Sequence, residues 1–169
     1  RTRMNEPARG HRLEAAGIRQ FPHAFMTSTR DATVLAFDFG MRRIGVAVGN
    51  TLVRVAHPLA TIEGDANEMR FASIGALIAE WRPDHLVVGI PVHADGAHHD
   101  MPLRAKRFAR QLAGRFRLPV IEVDERYTTE AAQAELAQAG HGGRRGRAQR
   151  DEVAAQLILQ AHFDEPRPD

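Results

Sequence analysis

The chain contains no cysteine. That excludes a disulfide framework, a thiolate nucleophile and a cysteine-ligated zinc site, and it suits a protein of the reducing cytoplasm. Lysine is almost as scarce. Lys106 is the sole one, so nearly all of the 23 basic side chains are arginines. A formal net charge of +2 does not argue for a polyanionic partner by itself, and arginine richness also follows from a GC-rich genome; placement of the arginines matters more. No apolar run approaches membrane-spanning length, and nothing near the start has the apolar core of a secretory signal. At 169 residues, the chain is most economically one domain with a substantial buried core.

The organising stretch is Val34 to Gly49, VLAFDFGMRRIGVAVG. Val34–Phe37 and Ile44–Val48 are short, uninterrupted apolar runs, as expected of strands buried on both faces. Between them Gly40 is expected to adopt a turn conformation closed to other residues, and Arg42 and Arg43 place two cations beside Asp38. A carboxylate ending a central strand either stabilises the turn or carries chemistry, and this stretch alone leaves both readings open.

Residues 1–31 show no clear period and hold two prolines, so they are expected to be a poorly ordered leader, with Met26 as the natural start. Val53–Ile62 reads as a third strand, demoted to a sheet edge by Pro58 and completing an antiparallel meander. Phe71, Ile74, Leu77, Ile78 and Trp81 recur at helical spacing and predict a core-facing helix that stops at Pro83. Leu86–Ile90 is a buried strand, reached by a parallel crossover. A second helix from Leu103 buries Ala105, Phe108, Ala109, Leu112 and Phe116. Its outer face carries Arg104, Lys106, Arg107, Arg110 and Arg115, a solvated face or a phosphate contact. Val120–Val123 is a fifth strand leading into Asp124, Glu125 and Arg126. Thr128 or Thr129 then caps an Ala-rich helix ending at Gly140.

The segment Gly140–Arg150, GHGGRRGRAQR, is expected to be a mobile cationic loop, suited to a polyanion or simply solvated. The last helix is expected to start near Asp151 and to bury Val153, Leu157, Ile158 and Ala161. An acid in a first helical turn, Asp151 or Glu152, also fits plain helix stabilisation. His93, His98 and His99 suggest a rival metal site, but without a helical i, i+4 pair they read as loop residues.

Three antiparallel strands followed by two helix-connected parallel strands form the ribonuclease H-like pattern: an α/β fold with a five-stranded mixed sheet flanked by helices and its first strand in the middle. Carboxylates ending strands one and five then share a sheet edge, their backbones roughly 9.5 Å apart across two strand spacings. Paired divalent ions about 4 Å apart, held by carboxylates, suit phosphodiester hydrolysis.

Four motifs carry a resemblance: DFGMRRIGVAVG (38–49), VVGIPVHADG (87–96), DERYTTEAA (124–132) and RDEVAAQLIL (150–159). In order and spacing they resemble the YqgF/RuvX family of Holliday junction resolvases or pre-16S rRNA nucleases, over about Val34 to Phe163. The resemblance implies a ribonuclease H-like nuclease domain over 32–164, followed by a short tail over 165–169. It implies a Mg²⁺- or Mn²⁺-dependent nuclease that matures the 5′ end of pre-16S rRNA, in contact with ribosomal precursor particles. It makes Asp38, Glu125 and Asp151 the catalytic, metal-holding triad. Met41, His93 and Arg150 depart from the family's usual Thr, Asn and aliphatic residue. On charge, Arg42, Arg43 and Arg126 are expected to hold the scissile or flanking phosphates, and Arg144, Arg145 and Arg147 to grip the strand further out. Branched DNA is the alternative substrate, and two symmetric cuts in it would call for a homodimer rather than a monomer. Two rivals come from other classes. The Asp38 motif also resembles the first phosphate motif of actin-like kinases and ATPases, but the chain is too short for their second lobe. A noncatalytic nucleic-acid-binding module would work without Asp38.

Overall fold

The computed structural model describes residues 31–92, 99–125, 130–139 and 141–166. The expected leader, apart from Asp31, lies outside them, as do His93, His98, Arg126, the Thr128 or Thr129 cap, Gly140 and residues 167–169. The described elements are β1 (Thr33–Phe39), β2 (Arg43–Asn50), β3 (Ala56–Glu63), α1 (Asn67–Trp81), β4 (His85–Ile90), α2 (Met101–Phe116), β5 (Val120–Asp124), α3 (Glu130–Gln138) and α4 (Gly143–Asp164).

The five strands form one sheet in the order β3-β2-β1-β4-β5. β1, β2 and β3 make the antiparallel meander, while β4 and β5 add in parallel, so β1 lies in the middle as the ribonuclease H-like pattern requires. Pro58, which has no N–H to donate, sits on the edge strand β3 beside a register shift opposite Val46 and Ala47.

The two-residue alternation of β1 feeds two cores. Leu35 and Phe37 pack with Ile44, Val46, Leu86 and Val88 against Phe71 and Ile74 of α1 and Phe108 and Leu112 of α2. Val34 and Ala36 turn the other way and pack with Ala47, Val87 and Val123 beneath Ala155, Ile158, Leu159 and Phe163 of α4. The second set is rich in small residues, which lets α4 lie close to the sheet. Each fully buried Leu, Ile or Phe contributes roughly 1.5–3 kcal/mol, and helices on both faces cover the continuous apolar runs of β1 and β4.

Several expectations need correcting: Leu157 and Ala161 of the last helix are half-buried, and the third strand begins at Ala56 and not at Val53. Trp81, predicted to face the core, is the last residue of α1 and is 37% exposed. More consequentially, the segment after Gly140 is not a loop. α4 begins at Gly143 and runs 22 residues, so Arg144, Arg145, Arg147 and Arg150 are helical and Asp151 lies beyond the second turn. Its glycines and its lack of apolar residues disguise a helix, yet Arg, Ala and Gln are good helix formers. Docking on β2 and β3 supplies the rest: Gly146 is buried, and Thr61 of β3 donates its hydroxyl to the Ala148 carbonyl at 2.8 Å. The dipole explanation for Asp151 therefore falls, because that effect is confined to the first turn.

At the sheet end away from Asp38, His85 and His162 bring their Nε2 atoms to 3.3 Å, one donating to the other. Burial lowers both pKa values, and for His85 the neighbouring His162 adds to the effect. A histidine with a depressed folded-state pKa adds stability that is complete above the unfolded value near 6.5 and lost as pH falls below it. Thermal melts should show stability falling between pH 7 and pH 5, by at most about 1.4 kcal/mol per pH unit for each histidine, with a shallower slope in His162→Gln.

Candidate active site

Asp38 is the next inward position after Val34 and Ala36 on the α4 face of β1, and the positions on either side of it are glycines. On β2 its partner is Gly45, and on β4 the register that joins Phe37 to Val88 brings Gly89 alongside. At Gly45 a Cβ would overlap the backbone carbonyl of Asp151, so this glycine is what allows α4 to bring Asp151 down onto the sheet. At Gly89 a Cβ would lie 2.9 Å from Glu125 Oε1 and would also clash with Ile158. Glu125 follows the end of β5, and its carboxyl reaches back over Gly89 toward Asp38. The three acids, from β1, the end of β5 and α4, line one cleft of about 450 Å³ together with Arg150, Leu136 and Ile158.

A second cleft, of about 380 Å³, adjoins it. Arg42, Arg43, Arg144 and Arg147 line it with Glu63, Gly64 and Asp65. Arg144, Arg147 and Asp151 are spaced i, i+3, i+7 on α4 and so share one helix face. Arg145, on a different face, does not line this cleft. Arg144 Nε donates to Glu63 Oε1 at 3.0 Å, and Arg43 Nε donates to Asp151 Oδ2 at 2.5 Å. Arg43 therefore lines the basic cleft while bonding an acid that lines the other. Arg126 lies outside the described residues.

The family model described as Holliday junction resolvase, RuvX, matches residues 32–165. The chain belongs to the RuvX family. A relative from Dechloromonas aromatica (strain RCB), named "Putative pre-16S rRNA nuclease", is 54% identical over 134 residues, covering 79% of this chain and 92% of its own. One from Nitrosomonas europaea, with the same name, is 52% identical over 139 residues, or 82% and 94% of the two chains. Among solved structures, RuvC from T. thermophilus in complex with a Holliday junction substrate is 18% identical, covers 78% of this chain and 92% of its own, and has a TM-score of 0.44.

In this RuvX chain the acids are electrostatically short of positive charge. Burial, then the charges of Glu125 and Asp151, push the Asp38 carboxyl up to about 8. Burial, then Asp124, also raises Glu125. Among the described residues no three ligand-type side chains are grouped closely enough to form a metal site. The donor set nevertheless fits a hard cation: it is all carboxylate, it faces one cleft, and burial followed by the charges of the other two acids disfavours the ionised form of its innermost member, a penalty a cation would offset. No thiolate is present to favour a softer ion.

Two features were not apparent from sequence. Gly40 does not use a left-handed conformation, since among the described residues the glycines with positive φ are Gly64, Gly142 and Gly143. It is there for space, because a Cβ would sit 2.5 Å from the Arg43 carbonyl. Arg70, buried in α1, donates to the carbonyls of Gly40 and Met41 and lies over the Phe39 ring at 5.1 Å, so it fixes the turn that carries Arg42 and Arg43. The signal was an arginine beside Phe71, next to the apolar face of a helix.

A carboxyl whose folded-state pKa is raised costs the folded state increasingly as pH climbs from the unfolded value of 3.8 toward 8. In EDTA at pH 8, Asp38→Asn should melt at least about 5 °C above wild type, reflecting on the order of 2 kcal/mol, and the gap should narrow toward pH 5. Gly45→Ala should destabilise the fold by about 1–3 kcal/mol in denaturant titration, because a backbone and not a flexible side chain must move.

Proposed function

We propose that this RuvX protein is a divalent-metal-dependent nuclease acting in the cytoplasm, which hydrolyses phosphodiester bonds at the 5′ end of pre-16S rRNA within ribosomal precursor particles. The observation that carries the reading is the pairing of two clefts: one holds the half-buried Asp38 with Glu125 and Asp151, and the other is walled by Arg42, Arg43, Arg144 and Arg147. An acidic cleft alone would repel a phosphodiester, and a basic one alone would only bind it. Side by side they suit an anionic strand held by arginines while one of its phosphates meets the acids. The rRNA substrate comes from the name of relatives 54% and 52% identical to this chain.

Asp38, Glu125 and Asp151 would hold Mg²⁺ or Mn²⁺, and such an ion, when bound, supplies Lewis-acid polarisation of the phosphate and activation of water. The chain's own contribution is placement and charge. Asp38 sits on the central strand, with neighbours on both sides, so its carboxylate is placed by the sheet and not by a loop. Arg42, Arg43, Arg144 and Arg147 orient the strand through charge-assisted hydrogen bonds to its phosphates, and Arg150 adds a cation within the acidic cleft itself. Leu136, Leu157 and Ile158 make the remaining wall apolar, which restricts bulk water around the acids.

One such site cuts one strand, so a monomer suffices for rRNA processing. The Holliday junction in the family's description would call for two sites in a homodimer. The test is cleavage of a labelled pre-16S 5′ leader and of a four-way DNA junction by wild type and Asp38→Asn, in Mg²⁺, Mn²⁺ or EDTA. RNA cleavage that needs the metal and falls on the order of a hundredfold or more in the variant is the expected result. Junction cleavage without RNA cleavage would favour the resolvase reading. No cleavage of either, with equal RNA binding by both proteins, would leave a binding module in its place.

A further inference from the structure

Of the three acids in the cleft, Asp151 has a cation set directly on it. Arg43 Nε donates to Asp151 Oδ2 at 2.5 Å, between residues 108 apart in sequence, and the two side chains are 34% and 22% exposed. The same Arg43 lines the basic cleft with Arg42, Arg144 and Arg147, so it stands on the boundary between the acids and the proposed path of the strand. It is also well placed to be released. It follows the turn pinned by Arg70, it begins β2, and its side chain is partly solvated.

A divalent ion taking the carboxylates would need the charge of Asp151, and it would repel the guanidinium already using it. Arg43 would then gain most from a phosphate in the adjoining cleft. The same exchange runs from the other side, since a phosphate that draws Arg43 away leaves Asp151 Oδ2 free. We infer that Arg43 is the internal counter-cation of the metal-free site, holding Asp151 until a divalent ion claims it and then serving a substrate phosphate, so that metal and nucleic acid each tighten the other's binding. The inference rests on the nuclease reading above and adds an order to it: the arginine is a positioning residue that couples two ligands. Coupling of this kind is reciprocal by thermodynamic necessity.

The test is Mn²⁺ titration of the full chain, followed by the electron paramagnetic resonance signal of free Mn²⁺, with and without a short RNA oligonucleotide whose integrity is checked on a denaturing gel after each titration. Wild type is compared with Arg43→Ala and Arg43→Gln, and circular dichroism melts establish that each variant is folded. Without RNA, both variants should bind Mn²⁺ about three- to fivefold more tightly than wild type. RNA should tighten Mn²⁺ binding by a similar factor in wild type and by clearly less in both variants. Equal or weaker Mn²⁺ binding by the folded variants, or an RNA effect as large in them as in wild type, overturns the inference. Asp38→Asn separates this from the larger question: Mn²⁺ binding that is indifferent to Asp38 would sink the nuclease reading itself, and the coupling with it.

Discussion

The structure depends on how closely one helix can approach one strand. α4 reaches the sheet at Gly45, where no side chain stands between the β2 backbone and the carbonyl of Asp151. That single contact brings a carboxylate from the C-terminal part of the chain beside Asp38 on the central strand, and Gly89 does the same for Glu125 from the other side. Protein interiors are packed tightly enough that even one added methyl group is felt, so these glycines are geometric conditions for the acidic cleft. The small residues Ala36, Ala47 and Ala155 keep the helix equally close further along.

Closeness has an electrostatic cost. Three acids share a partly enclosed cleft, and the burden falls on Asp38, the most deeply placed. The chain offsets it in part with arginine. Arg43 meets Asp151 directly, Arg150 lines the same cleft, and Arg144 is held by Glu63 next door. The surface on this side of the sheet thus alternates acid and base over a short distance. A uniformly basic surface would bind a polyanion without registering which phosphate lies where; under the proposed function this pattern would distinguish one phosphate from its neighbours.

Much of this was legible in the sequence because it rests on local rules. The apolar runs of β1, β2 and β4, the helical spacing of Phe71 and Ile74, and Pro58 at an edge follow from periodicity and proline chemistry, and the sheet order matches them. Asp38 was conspicuous because a carboxylate is rare at the end of so apolar a strand, and the four spaced motifs drew Glu125 and Asp151 into the same family pattern. What could not be read depends on contacts between distant segments. The first turns of α4 have no apolar stripe, and only docking on β2 and β3 reveals them as helix. Gly40 looked like a conformational device and is a spatial one. Arg70 lies next to an apolar face, and its partners, two carbonyls of the β1–β2 turn, are some thirty residues away in sequence.

That α4 is helical from Gly143 changes what its arginines mean. On a mobile loop, each cation would have to be ordered as the ligand arrived, and immobilising a long side chain and its backbone would consume part of the attraction. On the helix, the backbone share of that ordering has already been spent in folding. Seven residues at about 1.5 Å each set Arg144 about 10 Å along the axis from Asp151. In the proposed function the helix would act as a ruler, with a grip at one mark and an acid at another, so that a strand lying along it would have its position measured before any chemistry began.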